Sequence, residues 1–286
     1  MNNYHTHAKY CKHGEGNISE YVKNAVKSGM EELGFTCHIP FEESFLDSEY
    51  YKDIMFNANK NNANIQPGRE SRMDYSEIDQ YLNDIEKAKR EFPNIKLLSG
   101  FECEYDEANK LFVEKIRNKV DYLIIGMHHV FKDSTLYDFT KKYVVSKNEY
   151  RKLTYDDLDV YAEACINAMK SGLFTILAHP DFFMDKVENF TDKCEEISRR
   201  IIEAAIKYDV YLEINTSDYW KANKRNRRLM YPRKEFWNIV GQYKGVKVVI
   251  GTDAHQPKRV CDFQLDKVKR IIKENNLNVI ERIVLK

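Results

Sequence analysis

Short, nearly continuous apolar runs recur along the chain, and most of them close in a polar cluster. YLIIG and VKVVIG typify them. Such runs suit parallel strands covered on both faces better than half-exposed strands, which would alternate. Strands are expected at Asn3–His5, Gly34–His38, Ile95–Glu104, Tyr122–His128, Thr175–His179, Val210–Asn215 and Val246–Thr252. Helical periodicity fills the gaps. ISEYVKNAVKSGM begins after Asn17, a side chain suited to cap it, with Ile18, Val22, Ala25 and Val26 on one face. Ser76–Phe92 stops at Pro93, and Asp156–Ser171 stops at Gly172. Thr191–Tyr208, Lys234–Gly241 and Leu265–Asn275 complete the series.

This alternation places the chain in the α/β class. Seven strand–helix repeats in 286 residues favour a (β/α) barrel, with an open doubly wound sheet as the competitor. The open sheet's usual phosphate loop is missing, since neither GxGxxG nor GxxxxGK occurs. Two stretches break the pattern. Phe41–Arg72 is polar and Asn-rich and reads as a loop insertion or flap over the site, and Lys132–Thr154 reads as a long connection. No repeat or linker marks a second domain, so residues 1–286 are expected to form one.

Composition narrows the partners. Forty-five basic residues balance 45 acidic ones, so no global field draws the chain to nucleic acid or to an anionic membrane. The six cysteines are scattered without a CxxC and read as reduced thiols. With no basic-then-apolar leader at the amino terminus and no run long enough to span a bilayer, a cytoplasmic location is expected.

The chemistry lies in the polar clusters. His5 and His7 are two apart, so on an extended strand both imidazoles face one way and can reach one ion. The same spacing recurs in Glu102 and Glu104, His179 and Asp181, and Asp253 and His255. A single histidine is ordinarily just a hydrogen-bonded ring. Imidazoles and carboxylates gathered at several strand ends are instead the donor set of a multinuclear divalent-metal site.

The opening HTHAKYCKHGEGNISEYVKNAVKSGMEELGFTCHIPF, with GFECEY, GMHH, AHPD, EINTS and GTDAH after it in order, resembles the polymerase and histidinol phosphatase (PHP) superfamily from about residue 3 to about residue 260. Within it, the chain is most similar to the stand-alone histidinol phosphatases of amino-acid biosynthesis. The resemblance implies a distorted (β/α)7 TIM-like barrel holding three divalent ions (Zn, Mn or Fe) at the C-terminal ends of the strands. The first ion would take His5, His7, Glu102 and Asp253. The second would share Glu102 and add His179 and the GMHH histidine. The third would take His13, His38 and His255. Relatives commonly read G-S-V-H where this chain reads Gly126-Met127-His128-His129. Alignment from the glycine makes His129 the ligand, although a one-residue slip reverses the facing. Cys37 stands where many relatives carry Asp, and reads as a small buried residue.

The activity that the resemblance implies is hydrolysis of L-histidinol phosphate to L-histidinol and phosphate, with a hydroxide held between ions as nucleophile. Glu102 would bridge the ions, and Asp253 or His255 would give or relay the leaving group's proton. Lys221 and Arg225, from a basic cluster after VYLEIN, and Arg72 are the candidate phosphate anchors. Relatives carry G-L-R-(K/R)-P after N-T-(A/S), whereas this chain has Asp218-Tyr219-Trp220-Lys221, which leaves the exact substrate open. The expected partner is a small phosphorylated molecule, with no membrane and with nucleic acid disfavoured. Alternatives are a PHP phosphoesterase acting on another small ester, a nucleotide or nucleic-acid ends, and a non-catalytic metal-binding regulatory protein.

Overall fold

The computed structural model describes residues 1–61, 71–187 and 189–286. Ten strands are present among them: β1 (Glu32–Phe35), β2 (Lys96–Cys103), β3 (Tyr122–Ile125), β4 (His129–Lys132), β5 (Thr135–Asp138), β6 (Tyr143–Ser146), β7 (Tyr150–Lys152), β8 (Ile176–Leu177), β9 (Tyr211–Asn215) and β10 (Val248–Gly251). The helices are α1 (Ile18–Lys27), α2 (Glu43–Leu46), α3 (Glu49–Lys60), α4 (Ile78–Glu91), α5 (Lys110–Ile116), α6 (Leu158–Lys170), α7 (Asp192–Lys207), α8 (Ser217–Arg225), α9 (Lys234–Val240) and α10 (Leu265–Asn275).

Six strands pair in parallel in the order β1-β2-β3-β8-β9-β10. The amino-terminal segment closes the ring. Asn3 bridges Leu33 of β1, and Thr6 bridges Ala254 just past β10. Gly34 and Thr36 donate to the carbonyls of Asn3 and Thr6, and His7 donates to that of Ala254. Near the start of β10 the neighbour is instead Val279, from the carboxyl-terminal segment. The result is a distorted (β/α)7-like barrel: the alternation points to a barrel, and the family resemblance to its distorted sevenfold form. Asn17 caps α1 as anticipated, in a reciprocal box with Glu20.

The interior is layered by strand parity. Leu98, Tyr122, Ile124, Ile176, Ala178, Tyr211 and Val249 form a closed apolar cluster. Two residues further along the same strand faces come Gly100 and Glu102, Gly126, Glu213 and Gly251. The lower part of the barrel is therefore oil, and its upper part carries buried charge. Space for that charge comes from glycine. A Cβ on Gly126 would collide with Glu102 Oε1, and one on Gly251 would collide with Glu213 Oε1.

Two expectations are corrected. Phe41–Arg72 is not a plain loop, because α2 and α3 occupy its first part; its residues 62–70 lie outside the described residues. Lys132–Thr154 is not a bare connection, because it contributes most of a four-stranded antiparallel sheet, β4-β5-β6-β7. The two pack together: Phe41, Tyr51, Ile54 and Ala58 meet Phe131, Leu136 and Val145 in a separate apolar cluster. Asn57 ties α3 to the sheet by donating to the Ser146 and Glu149 carbonyls. Strands of three or four residues interrupted by Lys, Asp and Arg carry too little alternation to be read from sequence. Among the described residues no helix is long and apolar enough to cross a membrane.

Gly126→Ala is expected to destabilise the fold by about 1–3 kcal/mol through overpacking against Glu102, read as a lowered thermal midpoint. An unchanged midpoint would show that the Glu102 side chain has room to move aside.

Candidate metal centre

Both oxygens of the buried Glu102 carboxylate face imidazoles. On Oε2 converge His5 Nε2 (3.3 Å), His7 Nε2 (3.3 Å) and His38 Nδ1 (3.1 Å). On Oε1 converge His179 Nε2 (3.0 Å) and His128 Nε2 (3.6 Å). Asp253 stands on the other side of the His5–His7 pair, its Oδ1 3.7 Å from His5 Nε2 and 3.3 Å from His7 Nε2. Its Oδ1 also lies 3.3 Å from His255 Nδ1. The His255 ring stacks on His7 at 4.3 Å and meets the rim residue His13 at 4.3 Å between centroids.

The side chains arrive from several strand ends. Glu102 sits on β2, His38 comes after β1 and is bridged to Glu102, and His179 and Asp253 come after β8 and β10. His179 (φ 32°) and Asp253 (φ 45°) both adopt the left-handed region. L-residues avoid that region, so the turn leaving each strand is held there by its surroundings at a cost of about 1–3 kcal/mol. Strain concentrated at two donor residues marks a functional site.

The donors fit divalent metal. His5 Nε2 and His7 Nε2 are fully buried and have no hydrogen-bond partner, although carboxylates surround them. Orphaned ring nitrogens of this kind are ordinarily costly, and a cation among them removes the cost. His7, His38 and His255 form one group with mutually close donor atoms; His5, His7 and Asp253 form a second; His38, Glu102 and His128 form a third. These clusters make a multi-metal site, with donors enough for three ions.

Glu213 was not anticipated. It lies buried on β9, with Oε1 and Oε2 at 2.9 and 3.1 Å from His5 Nδ1, the nitrogen that faces away from Glu102. A carboxylate behind a metal-ligating histidine fixes the ring and raises its basicity. Its only trace in the sequence is a single charge inside the apolar run VYLEIN. Cys11 does similar work for His7, with Sγ 3.2 Å from Nδ1, and it also accepts from the His38 amide. Cys37 is buried beside it, as expected.

The GMHH ring that meets Glu102 is His128 rather than the expected His129, whose Nδ1 lies 3.3 Å from Glu104 instead. Counting three residues past Gly126 gives His129; in the structure His129 opens β4, and His128, in the turn before it, meets Glu102. Arg72 is buried and forked onto Glu104 with both contacts at 2.7 Å, so its charge is already engaged at the cavity wall. Lys221 lines the cavity with Nζ 3.8 Å from Asp253 Oδ2. Arg225 does not line it; it is exposed near the end of α8. The cavity is about 360 Å³ and also takes in Asp138, Thr140 and Lys141 from the antiparallel sheet and Phe182, Met230 and Tyr231 from the barrel side.

Charge at the centre is self-consistent. Burial works to neutralise His5, but Glu213, Glu102 and Asp253 outweigh it and hold the imidazole well above its ordinary value. His7 is likewise carried up to about 9: burial opposes, and Asp253 and Glu102 win. Burial also opposes ionisation of Glu102, yet His38, His5 and His128 keep that carboxyl well below the usual range. Burial lowers His38 and His255 far below 6.5, so both are neutral and ready to ligate at neutral pH. His5 and His7 are charged in the metal-free protein near pH 7.5 and must deprotonate to bind. Zinc titrated into the metal-free protein should therefore release about two protons, measured from the buffer dependence of the binding enthalpy; no release would contradict the raised values. Glu213→Gln should weaken metal affinity by about 10–100-fold, read by competition with a chelator.

A family model for the PHP domain matches residues 3–217. Over 270 residues the chain is 25% identical to a probable histidinol-phosphatase of Deinococcus radiodurans, covering 93% of this chain and 91% of that one. It is 22% identical over 272 residues to the histidinol-phosphatase of Bacillus subtilis, covering 88% and 92%. The crystal structure of histidinol phosphate phosphatase from Lactococcus lactis, complexed with zinc, L-histidinol and phosphate, shares the fold. It superposes with a TM-score of 0.67 at 19% identity, over 100% of this chain and 98% of that one. With the matched span holding His5, His7, His38, Glu102, His128 and His179 at one carboxylate-centred site, the chain belongs to the PHP domain family.

Proposed function

We propose that this protein is a metal-dependent phosphomonoesterase acting on L-histidinol phosphate. One observation carries the reading: a single buried carboxylate, Glu102, presents each of its oxygens to a separate set of imidazoles. A carboxylate so surrounded would serve more than one ion. Divalent ions held by His5, His7, Glu102, Asp253, His38, His128, His179, His13 and His255 would neutralise phosphoryl oxygens and make water nucleophilic at neutral pH.

The chain's own groups supply the rest. Lys221 offers a cation for the phosphate from beside Asp253. Ser217 donates to Asp253 Oδ2 at 2.9 Å and fixes that carboxylate toward His255. Neither group carries an acidic proton of its own near pH 7, so this pair would relay one from water to the departing alcohol. The substrate assignment is supported by relatives named as histidinol-phosphatases across most of the chain and by a cavity sized for one small molecule.

Glu102→Gln should lose bound metal and phosphatase turnover together while the barrel's circular dichroism persists. His128→Ala should reduce metal content, whereas His129→Ala should leave metal content near that of the parent protein; the reverse order would restore His129 as the ligand. With metal content measured, the protein should turn over histidinol phosphate faster than nucleotides or short oligonucleotides. Faster turnover of a nucleotide would replace the substrate assignment, and full metal occupancy with no turnover of any ester would point to a binding protein.

A further inference from the structure

The cavity has a second charged end that metal chemistry leaves unused. We propose that Asp138 recognises a primary ammonium on the substrate's alcohol, selecting phosphate monoesters that carry an amine two carbons from the ester oxygen. This deepens the phosphomonoesterase reading and rests on it. Asp138 ends β5 directly opposite His129 of β4. Cross-strand partners in an antiparallel pair share a face and stand about 4.5–5.5 Å apart. The Phe139 amide donates to the His128 carbonyl at 2.9 Å, which holds the β5 end against the turn that carries the Glu102-facing ring.

The carboxylate is only half used. Asp138 is 1% exposed, yet it lines the cavity. Its Oδ1 accepts from the Thr140 amide (2.8 Å), the Thr140 hydroxyl (2.6 Å) and the Lys141 amide (2.9 Å). Among the described residues Oδ2 has no hydrogen-bond or ion-pair partner. That oxygen is open to the cavity and free to accept from a ligand N–H. The same cavity takes in Glu102, His128 and Asp253, so a phosphate at the histidine cluster and an ammonium at Asp138 would share one chamber of about 360 Å³. Phe182 and Tyr231, with ring centroids 6.0 Å apart, and Met230 give the remaining substituent an apolar wall. The same carboxylate repels a second phosphate, so diphosphates and nucleotides are disfavoured by charge as well as by size.

The test compares the metal-loaded protein with Asp138→Asn on 2-aminoethyl phosphate and 2-hydroxyethyl phosphate. Asparagine keeps the oxygen that the turn needs and removes only the charge. Parent protein should prefer the amine ester, and the variant should lower the amine-to-hydroxyl ratio of kcat/KM by about 10–100-fold, the range for a hydrogen bond to a charged group. A parent ratio near one, or an equal loss on both esters, would overturn the assignment. If neither ester is hydrolysed, the phosphatase reading is what fails. Asp138 is then judged by calorimetry with L-histidinol and its N-acetyl derivative. Tighter binding of the free amine, abolished by Asp138→Asn, supports the proposal, and equal binding of the two overturns it.

Discussion

Everything at the mouth of this barrel is organised around one buried charge. The Glu102 carboxylate lies where burial alone would neutralise it, and it stays ionised because five rings from four strand ends and turns surround it. The dependence runs both ways: His5 and His7 hold their protons in the metal-free protein because Glu102 and Asp253 face them. Such a cluster is a poor source of folding energy by itself, since each desolvated group costs several kcal/mol before it finds a partner. Its retention makes sense as a preassembled receptor for cations, with the apolar layer beneath it supplying the stability.

That layer and the receptor are built by one rule applied to successive residues. Along β2, positions 98, 100 and 102 point inward as Leu, Gly and Glu, and along β9 Tyr211 gives way to Glu213. Moving two residues up a strand exchanges hydrocarbon for charge without changing the face. Glycine at 126 and 251 is what lets adjacent strands carry carboxylates at this height. The second carboxylate, Glu213, has no line to the cavity and acts through His5, so the centre has depth behind its donors as well as in front of them.

The insertions extend the same logic outward. The antiparallel sheet and α2–α3 pack on each other through Phe41, Tyr51, Phe131 and Leu136, and this cluster stiffens the wall that carries His129, Asp138 and Lys141. Arg72 joins the wall to the centre: it forks onto Glu104, which in turn contacts His128 and His129. A metal-side histidine and a substrate-side wall are thus coupled through one buried ion pair. Arg72, one of three candidate phosphate anchors, is paired with Glu104 at that junction and also lines the cavity.

Strand parity, helix caps and the run of histidines at strand ends were legible because they are local: period-two facing and cap chemistry depend on a few consecutive residues. The donor set came from the same pattern together with the family resemblance. The linear chain could not decide anything that depends on where one turn ends. Whether His128 or His129 enters the centre is decided by the turn between β3 and β4, where His128 meets Glu102 and His129 opens β4 against Glu104. Arg72 and Arg225 look alike as basic residues near the site, and only tertiary contacts send one into Glu104 and the other into solvent. The antiparallel sheet stayed hidden because its short strands are stabilised by α3, from some ninety residues earlier along the chain. Local periodicity determines the faces; long-range packing determines which side chains meet across them.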